Sequence, residues 1–367
     1  MGVEDLFQAE GEREATKLSE FDIIEKYFIK KNKRLDKSSV DAGGIVRGGV
    51  AIGIGDDAAE VRLNSKRLVV ATDTLNVGVH FPNHASAEDI ASRVVAVNVS
   101  DFAAMAARPR WATLSLTLPQ ADSDWLDKFS ESLLQAFDKY GMQLVGGDTT
   151  KGPLAISLTV MGEPFAEKLL TRSAAVVGDD IWLSGYAGLG AGSLAVALDE
   201  DGDKLSPKER LLLLDQFYRP EPRLALAESL AEFAHTAIDV SDGLLADASH
   251  IAKQSHCEMQ IYQTKLPVHP LLSKLYSEEE CLAMIGSGGD DYELLFTTDP
   301  DYRQRLAKLS DELNLKLTRI GTVAPCGPRE IDPTLASQEF GDKTPQVVLL
   351  DDKNQKIQYE RKGFKHF

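Results

Sequence analysis

The order of apolar and polar residues predicts strands in the first half of the chain. Residues 111–119, WATLSLTLP, and 154–163, LAISLTVMGE, alternate between apolar and polar side chains, as strands with one buried face do. Residues 67–74, RLVVATDT, form an apolar run of the kind found in buried strands and end in polar residues. These strands alternate with helices along residues 50–162.

Capping residues predict where three helices begin or end. In SEFDIIEKYF, Ser19 is the expected N-cap and Asp22 occupies the third helical position. Residues 86–107, SAEDIASRVVAVNVSDFAAMAA, repeat this arrangement with Ser86 and Asp89. Residues 122–141, DSDWLDKFSESLLQAFDKYG, are amphipathic and end in a glycine that can serve as C-cap.

The second half repeats the alternation and so predicts a second domain. Strand-like, turn and helical patterns follow one another in DDIWLSGYAGLGAG, HTAIDVSDGLLADASHI, AMIGSGGDDYELLFT and LKLTRIGTVAP. We therefore expect two α/β or α+β domains, residues 19–163 and 164–367, with the junction near Glu163–Pro164. Residues 1–18 are expected to be a poorly ordered leader, and residues 30–50 a loop.

Composition and charge argue against several classes of binding partner and site. The chain has 40 Lys and Arg against 57 Asp and Glu, a net charge of −17, which argues against nucleic acid or an acidic membrane surface as partner. No apolar run reaches the roughly 20 residues that a membrane span needs. The three cysteines form no CxxC pair, so we expect reduced thiols in a cytoplasmic protein, with neither a zinc site nor a disulfide framework.

Aspartates recur where apolar runs end. They stand beside glycine, serine or threonine in GIGDD (Asp56, Asp57), VVATDT (Asp73), LVGGDTT (Asp148), AIDVSDG (Asp239, Asp242) and SGGDDYE (Asp290, Asp291). Residues that follow strands meet at one rim of an open sheet, where ligands bind. The alternative is turn chemistry, since Asp next to Gly commonly makes turns. The repetition favours a shared acidic site.

Asp101 is the most informative of the acidic residues. It is the only charged residue in VVAVNVSDFAAMAA, residues 94–107, and Asn98 lies one helical turn before it. A carboxylate buried there either hydrogen-bonds to a neighbouring loop or binds a metal ion. The seven histidines form no HxxxH or HExxH pair, so oxygen ligands and a hard cation, Mg²⁺ before Ca²⁺ or Mn²⁺, are indicated. Mg²⁺ held by carboxylates in turn suggests a phosphate-rich ligand.

The common phosphate-binding motifs are absent. The sequence contains no GxxxxGK[ST] loop and no HRD or DFG set. The glycine-rich residues 185–192, GYAGLGAG, do not match GxGxxG and can be either an anion cradle at a helix N-terminus or a simple strand-to-helix turn.

Taken together, the motifs resemble the thiamine-monophosphate kinases of the aminoimidazole-ribonucleotide-synthase-like superfamily. The matching stretches run in family order from about residue 20 to the C-terminus and include GIGDDAA, ATDTLNVGVHF, QLVGGDTTKG, IDVSDGLLADASHI, GGDDYELLFT and KGFKHF. The resemblance implies a two-domain α/β architecture whose N-terminal sheet forms a barrel with its twin in a homodimer. It also implies ATP-dependent phosphorylation of thiamine monophosphate to the diphosphate.

The resemblance also implies site residues, carried over motif by motif. Residues that look like Mg²⁺ ligands are Asp57, Thr72, Asp73, Asp101, Asp148, Asp239 and Asp242. Those that look like ATP contacts are Gly147, Asp148, Arg172 and Ser241, and those that look like thiamine contacts are His80, Asp290 and Phe364. The family usually reads GGEDYEL, so the acidic side chain at position 290 is one methylene shorter here.

The expected mechanism is direct in-line transfer aided by several Mg²⁺ ions. Phosphoryl transfer needs alignment and charge neutralisation more than a protein nucleophile. The attacking phosphate oxygen of thiamine monophosphate is already ionised near neutral pH, so no general base and no phospho-enzyme are expected. Arg172 would add positive charge at the transferring group.

Two other functions remain open from the sequence. The first keeps the superfamily and changes the acceptor, to a ribonucleotide amide or to selenide. Selenophosphate synthesis would need a reactive cysteine or selenocysteine in an N-terminal glycine-rich loop, and no cysteine precedes Cys257. The second is a non-enzymatic acidic module that binds Mg²⁺ or nucleotide.

Overall fold

A computed structural model describes residues 18–35, 49–54, 58–198, 200, 204–326 and 346–357. The helices are α1 Glu20–Ile23, α2 Lys30–Leu35, α3 Ala87–Ala104, α4 Ser123–Tyr140, α5 Leu189–Ala197, α6 Pro207–Tyr218, α7 Leu224–Leu230, α8 Leu244–Ser255, α9 Pro270–Leu275, α10 Glu278–Ser287 and α11 Arg303–Glu312. The strands are β1 Val50–Ile52, β2 Glu60–Val61, β3 Val69–Asn76, β4 Ala107–Leu118, β5 Gln143–Lys151, β6 Ala155–Pro164, β7 Asp180–Ser184, β8 Thr236–Asp239, β9 Glu258–Tyr262, β10 Leu294–Thr298, β11 Leu317–Ala324 and β12 Gln346–Leu350.

The first sheet has four strands in the order β3-β6-β4-β5. The β4–β5 pair is parallel and the other two pairs are antiparallel. Helices α3 and α4 cover one face, where Val94, Leu116, Phe129 and Leu133 are fully buried in one core. The opposite face carries short hydroxyl side chains, and this division follows the alternation seen in the sequence.

The second sheet has six strands in the order β12-β9-β11-β7-β10-β8. It is mixed, since β12 and β9 are parallel and the other pairs antiparallel. Helix α8 packs on one face through residues such as Leu244 and Ile251. Helices α7 and α11 pack on the other face, against Trp182 and Phe296. The chain thus has the expected two-domain α/β architecture with mixed sheets.

Helix α3 lies between the two sheets. Its N-terminal half packs on the first sheet, and Ala103 and Ala104 near its C-terminal end belong to the same core as Leu226 and Leu230 of α7. Alanine side chains allow two helix backbones to approach closely. This approach brings the polar residues of α3 to the C-terminal end of β8.

The predicted caps are confirmed, with two corrections to the element boundaries. Ser19 and Asp22 form a capping box, Ser86 Oγ accepts a hydrogen bond from the Asp89 N–H at 3.1 Å, and Gly141 ends α4 with φ of 68°. The expected loop from residue 30 is wrong at its start, because a π-helical turn, Ile24–Ile29, continues into α2. Strand β4 begins four residues before Trp111, after a turn at Ala106.

The structure bears on two expectations from composition, those for a membrane span and for the cysteines. No helix in the described ranges combines the length and the apolarity that crossing a bilayer requires. The three cysteines are free thiols, of which Cys257 and Cys281 are buried. The leader prediction for residues 1–18 concerns residues that, apart from Leu18, lie outside the described ranges.

Candidate active site

Three carboxylates from three different elements lie near enough to interact electrostatically where α3 contacts both sheets. Asp73 comes from β3, Asp101 from the C-terminal part of α3, and Asp239 from the end of β8. Two polar side chains of α3 hold the flanking strands: Asn98 Oδ1 accepts from the Asp73 N–H at 3.0 Å, and Ser100 Oγ donates to Asp239 Oδ2 at 2.7 Å. The polar stripe on an otherwise apolar helix therefore assembles the cluster.

The cluster carries more negative charge than its surroundings neutralise. Burial, followed by the charges of Asp239 and Asp73, raises the pKa of Asp101 to about 8, against the opposing effect of the Arg172 guanidinium. Burial likewise raises the pKa of Asp73 and that of Asp239. Carboxylates in such a site either hold protons or bind a cation, and an all-oxygen set suits Mg²⁺.

The turn after β8 adds a buried acid that the sequence did not single out. Asp247, in the first turn of α8, accepts hydrogen bonds from the main-chain N–H groups of Ser241 and Asp242, each at 3.0 Å. Burial and then the charge of Asp239 raise the pKa of Asp247 to about 7. Asp247 therefore shapes the turn that follows Asp239 and contains Ser241 and Asp242. Its only sequence signal is an acidic residue in the first turn of a helix.

Two predicted sites of thiamine contact lie on the same side of α3. His80 follows β3, and its Nδ1 accepts from the Asn76 N–H at 3.0 Å. Asp290 follows α10 and forms an ion pair with Arg93 of α3 at 2.8 Å. Sequence reasoning missed Arg93, although its position was visible as the last charge before the apolar run that contains Asp101.

Thr72 and Asp148 lie on the opposite face of the first sheet from Asp73. The Thr72 hydroxyl donates to Thr159 Oγ1 at 2.9 Å on the exposed face. Asp148 pairs in register with Ser115 on that same face, at the far edge of the sheet. Three strand spacings, about 14 Å, separate the β3 and β5 edges. Within one chain, these two side chains are therefore not brought to the cluster.

Gly147 has a steric reason to be glycine. A Cβ at this position would lie 2.1 Å from the carbonyl oxygen of Leu114 in the neighbouring strand. Two further predicted site residues, Asp57 and Phe364, lie outside the described ranges.

The glycine-rich loop before α5 already binds a carboxyl group supplied by the chain. The buried carboxylate of Asp291 accepts hydrogen bonds from the N–H groups of Gly188 at 2.7 Å and Gly190 at 2.8 Å. Burial raises the pKa of Asp291 well above its usual range, against the opposing effect of these two main-chain hydrogen bonds. The structure thus decides between the two possibilities, because the amide donors at this helix start bind a side chain and are not free for phosphate.

Whether the cluster can hold a metal ion depends on the further oxygen ligands that come with that ion. In the part of the chain that the structure describes, no three side chains of His, Cys, Asp or Glu form a group that could hold a metal ion by themselves. Mg²⁺ commonly completes its coordination with water and phosphate oxygens. The donor set at Asp73, Asp101 and Asp239 therefore fits a Mg²⁺ ion that arrives with a phosphate ligand.

Comparisons with known proteins show the family to which the chain belongs. The family model "AIR synthase related protein, N-terminal domain" matches residues 55–163, and its C-terminal counterpart matches residues 176–331. Thiamine-monophosphate kinase of Haemophilus influenzae is 36% identical over 351 residues, which cover 95% of this chain and 98% of that protein.

Solved structures give the same picture. A crystal structure of thiamine-monophosphate kinase from Stenotrophomonas maltophilia K279a is 40% identical, with a TM-score of 0.74, covering 81% of this chain and 93% of that one. A structure described as AaThiL complexed with AMPPCP and TMP is 30% identical, with a TM-score of 0.69, covering 92% of this chain and 96% of that one.

Proposed function

The chain belongs to the thiamine-monophosphate kinase family, and on that premise we propose that it transfers the γ-phosphoryl group of ATP to thiamine monophosphate, forming thiamine diphosphate. The observation that carries the proposal is the cluster of half-buried Asp73 and Asp101 with buried Asp239, in which burial and the neighbouring carboxylates raise the pKa of Asp101. ATP as donor is supported by the similar AaThiL structure, whose AMPPCP is an analogue of ATP.

The acidic cluster would hold Mg²⁺ at the phosphates. We assign Asp73, Asp101 and Asp239 as its principal ligands, with Asp242 beside them and Asp57 from the segment outside the described ranges. Bound Mg²⁺ would screen the repulsion between the two phosphorylated substrates and polarise the transferring group. The ligand roles expected for Thr72 and Asp148 need a different route, since their side chains lie on the other sheet face.

The remaining residues would position the substrates. The charge of Arg172 opposes the rise in the pKa of Asp101, and we propose that its guanidinium would add positive charge at the transferring phosphoryl group. We propose Gly147 and Ser241 as further ATP contacts. The chain then needs no nucleophile or general base, because the acceptor phosphate oxygen is already ionised.

At the acceptor end, we propose that His80, Asp290 and Phe364 contact the thiamine moiety. His80 and Asp290 lie on the same side of α3, one from each sheet. A carboxylate such as Asp290 can accept a hydrogen bond from the amino group of the pyrimidine ring.

We propose that the protein acts as a cytoplasmic homodimer built from domains 19–163 and 164–367. The exposed face of the first sheet carries short hydroxyl side chains together with Val70, which is 54% exposed, and a second copy of the sheet could close a barrel over it. Asp148 lies on the opposite sheet face from Asp73, and about 14 Å separates their strands. A site that uses both residues would therefore take them from different chains.

The dimer is tested by mixing two inactive variants, Asp101→Asn and Asp148→Ala, after reversible dissociation. If the residues serve one site from two chains, random mixed dimers regain one intact site in two, and about a quarter of wild-type activity returns. Each variant dissociated and reassociated alone is the control. Recovery absent from the mixture would show that both residues act within one chain or that the dimer does not form.

The function is tested by following ADP release with ATP, Mg²⁺ and a panel of phosphorylated acceptors. We expect ADP and thiamine diphosphate in equal amounts with thiamine monophosphate, and only background release with unphosphorylated thiamine, a ribonucleotide amide or selenide. ADP release with a different acceptor, or tight ATP binding without any turnover, would refute the proposal.

A further inference from the structure

Arg93 is a buried cation that joins the two domains at the acceptor end of the site. Arg93 is 1% exposed and lies on α3 about two turns before Asp101. The guanidinium donates from Nε to the His80 carbonyl oxygen at 3.0 Å, from Nη1 to the Phe217 carbonyl oxygen, and from Nη2 to Asp290 Oδ1 at 2.8 Å. One side chain therefore binds three separate segments.

The planar geometry of arginine is essential to this arrangement. The guanidinium also stacks over the Phe217 ring, with Cζ 4.2 Å from the ring centroid. A guanidinium has five N–H donors in a fixed plane, whereas a lysine ammonium is a single point charge that cannot reach three separated acceptors and stack as well. A buried charge without such partners would cost several kcal/mol.

The Asp290 carboxylate is held in one orientation. The Tyr292 hydroxyl donates to Oδ1 at 2.9 Å, the same oxygen that binds Arg93. Asp290 and Tyr292 both adopt left-handed backbone conformations, with φ of 61° and 52°. Their N–H groups donate to the carbonyl oxygens of Ser241 and Val240, each at 2.9 Å. Non-glycine residues rarely adopt this conformation, so a dedicated network maintains it.

This network leaves the second oxygen of Asp290 without a hydrogen bond among the described residues. Within the described residues, both hydrogen bonds to the carboxylate go to Oδ1, and the side chain is 33% exposed. Oδ2 can therefore accept a hydrogen bond from an amino group of a bound molecule. The chemical class that fits is an amino-substituted heteroaromatic ring, since Asp290 supplies a hydrogen-bond acceptor.

We propose that Arg93 is a positioning residue for the acceptor substrate, which fixes the main chain at His80 and the carboxylate of Asp290 relative to each other. It would thereby make the acceptor contacts of the two domains one rigid unit, and it would determine affinity for the amino-substituted ring and not for ATP. This inference rests on the proposed function, because it assigns a role at the acceptor end of that same site.

The test compares Arg93→Lys and Arg93→Gln with the wild type in steady-state kinetics, varying each substrate separately. We expect KM for thiamine monophosphate to rise about tenfold or more, the effect of losing a charge-assisted hydrogen bond in a buried site, while KM for ATP stays within about twofold. Arg319→Lys is the matched control. It alters an arginine that pairs with buried Asp180 far from the site, so it should change neither KM.

A double-mutant cycle with Asp290→Asn separates positioning from general stability. If Arg93 acts through Asp290, adding Arg93→Lys to Asp290→Asn should raise KM for thiamine monophosphate by no more than about twofold. Parallel increases in both KM values, fully additive effects, or failure of both Arg93 variants to fold would overturn the proposal. Absence of wild-type turnover would instead refute the proposed function itself, which distinguishes the two failures.

Discussion

Two groups of aspartates in this chain have opposite surroundings: Asp180 by itself, and the cluster of Asp73, Asp101 and Asp239. Asp180, at the start of β7, is fully buried and pairs with Arg303 at 2.5 Å and with Arg319. Burial alone would raise the pKa of Asp180, but the hydrogen bonds and charges of the two arginines outweigh it, and the pKa is lowered. At the other group, burial and neighbouring carboxylates raise the pKa of Asp101 to about 8.

The difference distinguishes a carboxylate whose charge is neutralised by arginines of the chain from carboxylates that would need a bound cation for neutralisation. Asp180 has its counter-charges within the chain, which is the usual condition for a buried ion. The cluster of Asp73, Asp101 and Asp239 has the partial compensation of Arg172 and otherwise carries its charges against one another. A bound cation would supply what the arginines supply at Asp180.

The largest expected effect is the loss of catalysis in Asp101→Asn. The amide keeps the size of the side chain and removes the negative charge that would hold Mg²⁺. We expect kcat to fall by about 10³-fold, within the range of several kcal/mol that a metal ion contributes to the transition state. ADP release at saturating Mg²⁺ measures it, and wild-type kcat in this variant would remove Asp101 from the site.

The matched change at the other group, Asp180→Asn, should affect stability and not turnover. It leaves the half-exposed Arg303 and Arg319 without their carboxylate, and losing charge-assisted hydrogen bonds of this kind costs about 1.5 to 3 kcal/mol of unfolding free energy. Denaturant unfolding measures the loss, and kcat per folded molecule should match the wild type. A fall in kcat comparable to that of Asp101→Asn would contradict the difference between the two groups.

The two groups should also respond oppositely to pH in metal-free protein. Asp101 titrates near pH 8 when folded and about 4 when unfolded, so between these values the folded state binds more protons and stability decreases as pH rises. The lowered pKa of Asp180 has the reverse sign: its contribution is present above about pH 4 and is lost as pH falls through its folded pKa.

The measurement is the thermal midpoint in EDTA at pH 6 and pH 8.5. The wild type should unfold about 2 to 5 °C lower at pH 8.5, and Asp101→Asn should lose much of this decrease. An identical pH dependence in both proteins would mean that Asp101 does not hold a proton in the metal-free site.

The smallest expected effect concerns His80, which lies outside both groups of aspartates. His80→Ala removes a ring at the acceptor end, so KM for thiamine monophosphate should rise by about five- to tenfold, with less change in KM for ATP. Separate titration of the two substrates checks it. Equal increases for both would contradict a role at the acceptor.

How far the sequence predicted the site differs from residue to residue. Asp101 was identifiable because a single charge in an alanine-rich helix is costly unless something binds it. Asp239 ends β8, as expected of an aspartate that follows an apolar run, whereas the strand-end expectation is wrong for Asp73, because β3 continues to Asn76. For Thr72 the pattern gave the strand but not which face of the sheet its hydroxyl occupies, and Asp148 was placed by motif while the strand order that puts it at the far edge has no local signal.

Long-range partners were the main limit. Asp291 fills the glycine-rich loop from about 100 residues further along the chain, and Arg93 meets Asp290 across a separation of 197 residues. Neither pairing leaves a periodic pattern, because each depends on how the two sheets pack against α3. The left-handed backbone at Asp290 and Tyr292 is likewise maintained by contacts with the turn after β8.

The most direct test of the central claim is the number of protons released when preformed Mg²⁺–AMPPCP binds at pH 7, measured by titration calorimetry in buffers of different ionisation enthalpy. Because the pKa of Asp101 lies near 8 in the metal-free cluster, a cation that replaces its proton should release about one more proton from wild type than from Asp101→Asn. Equal proton release and equal affinity in the two proteins would contradict a cluster that exchanges protons for magnesium.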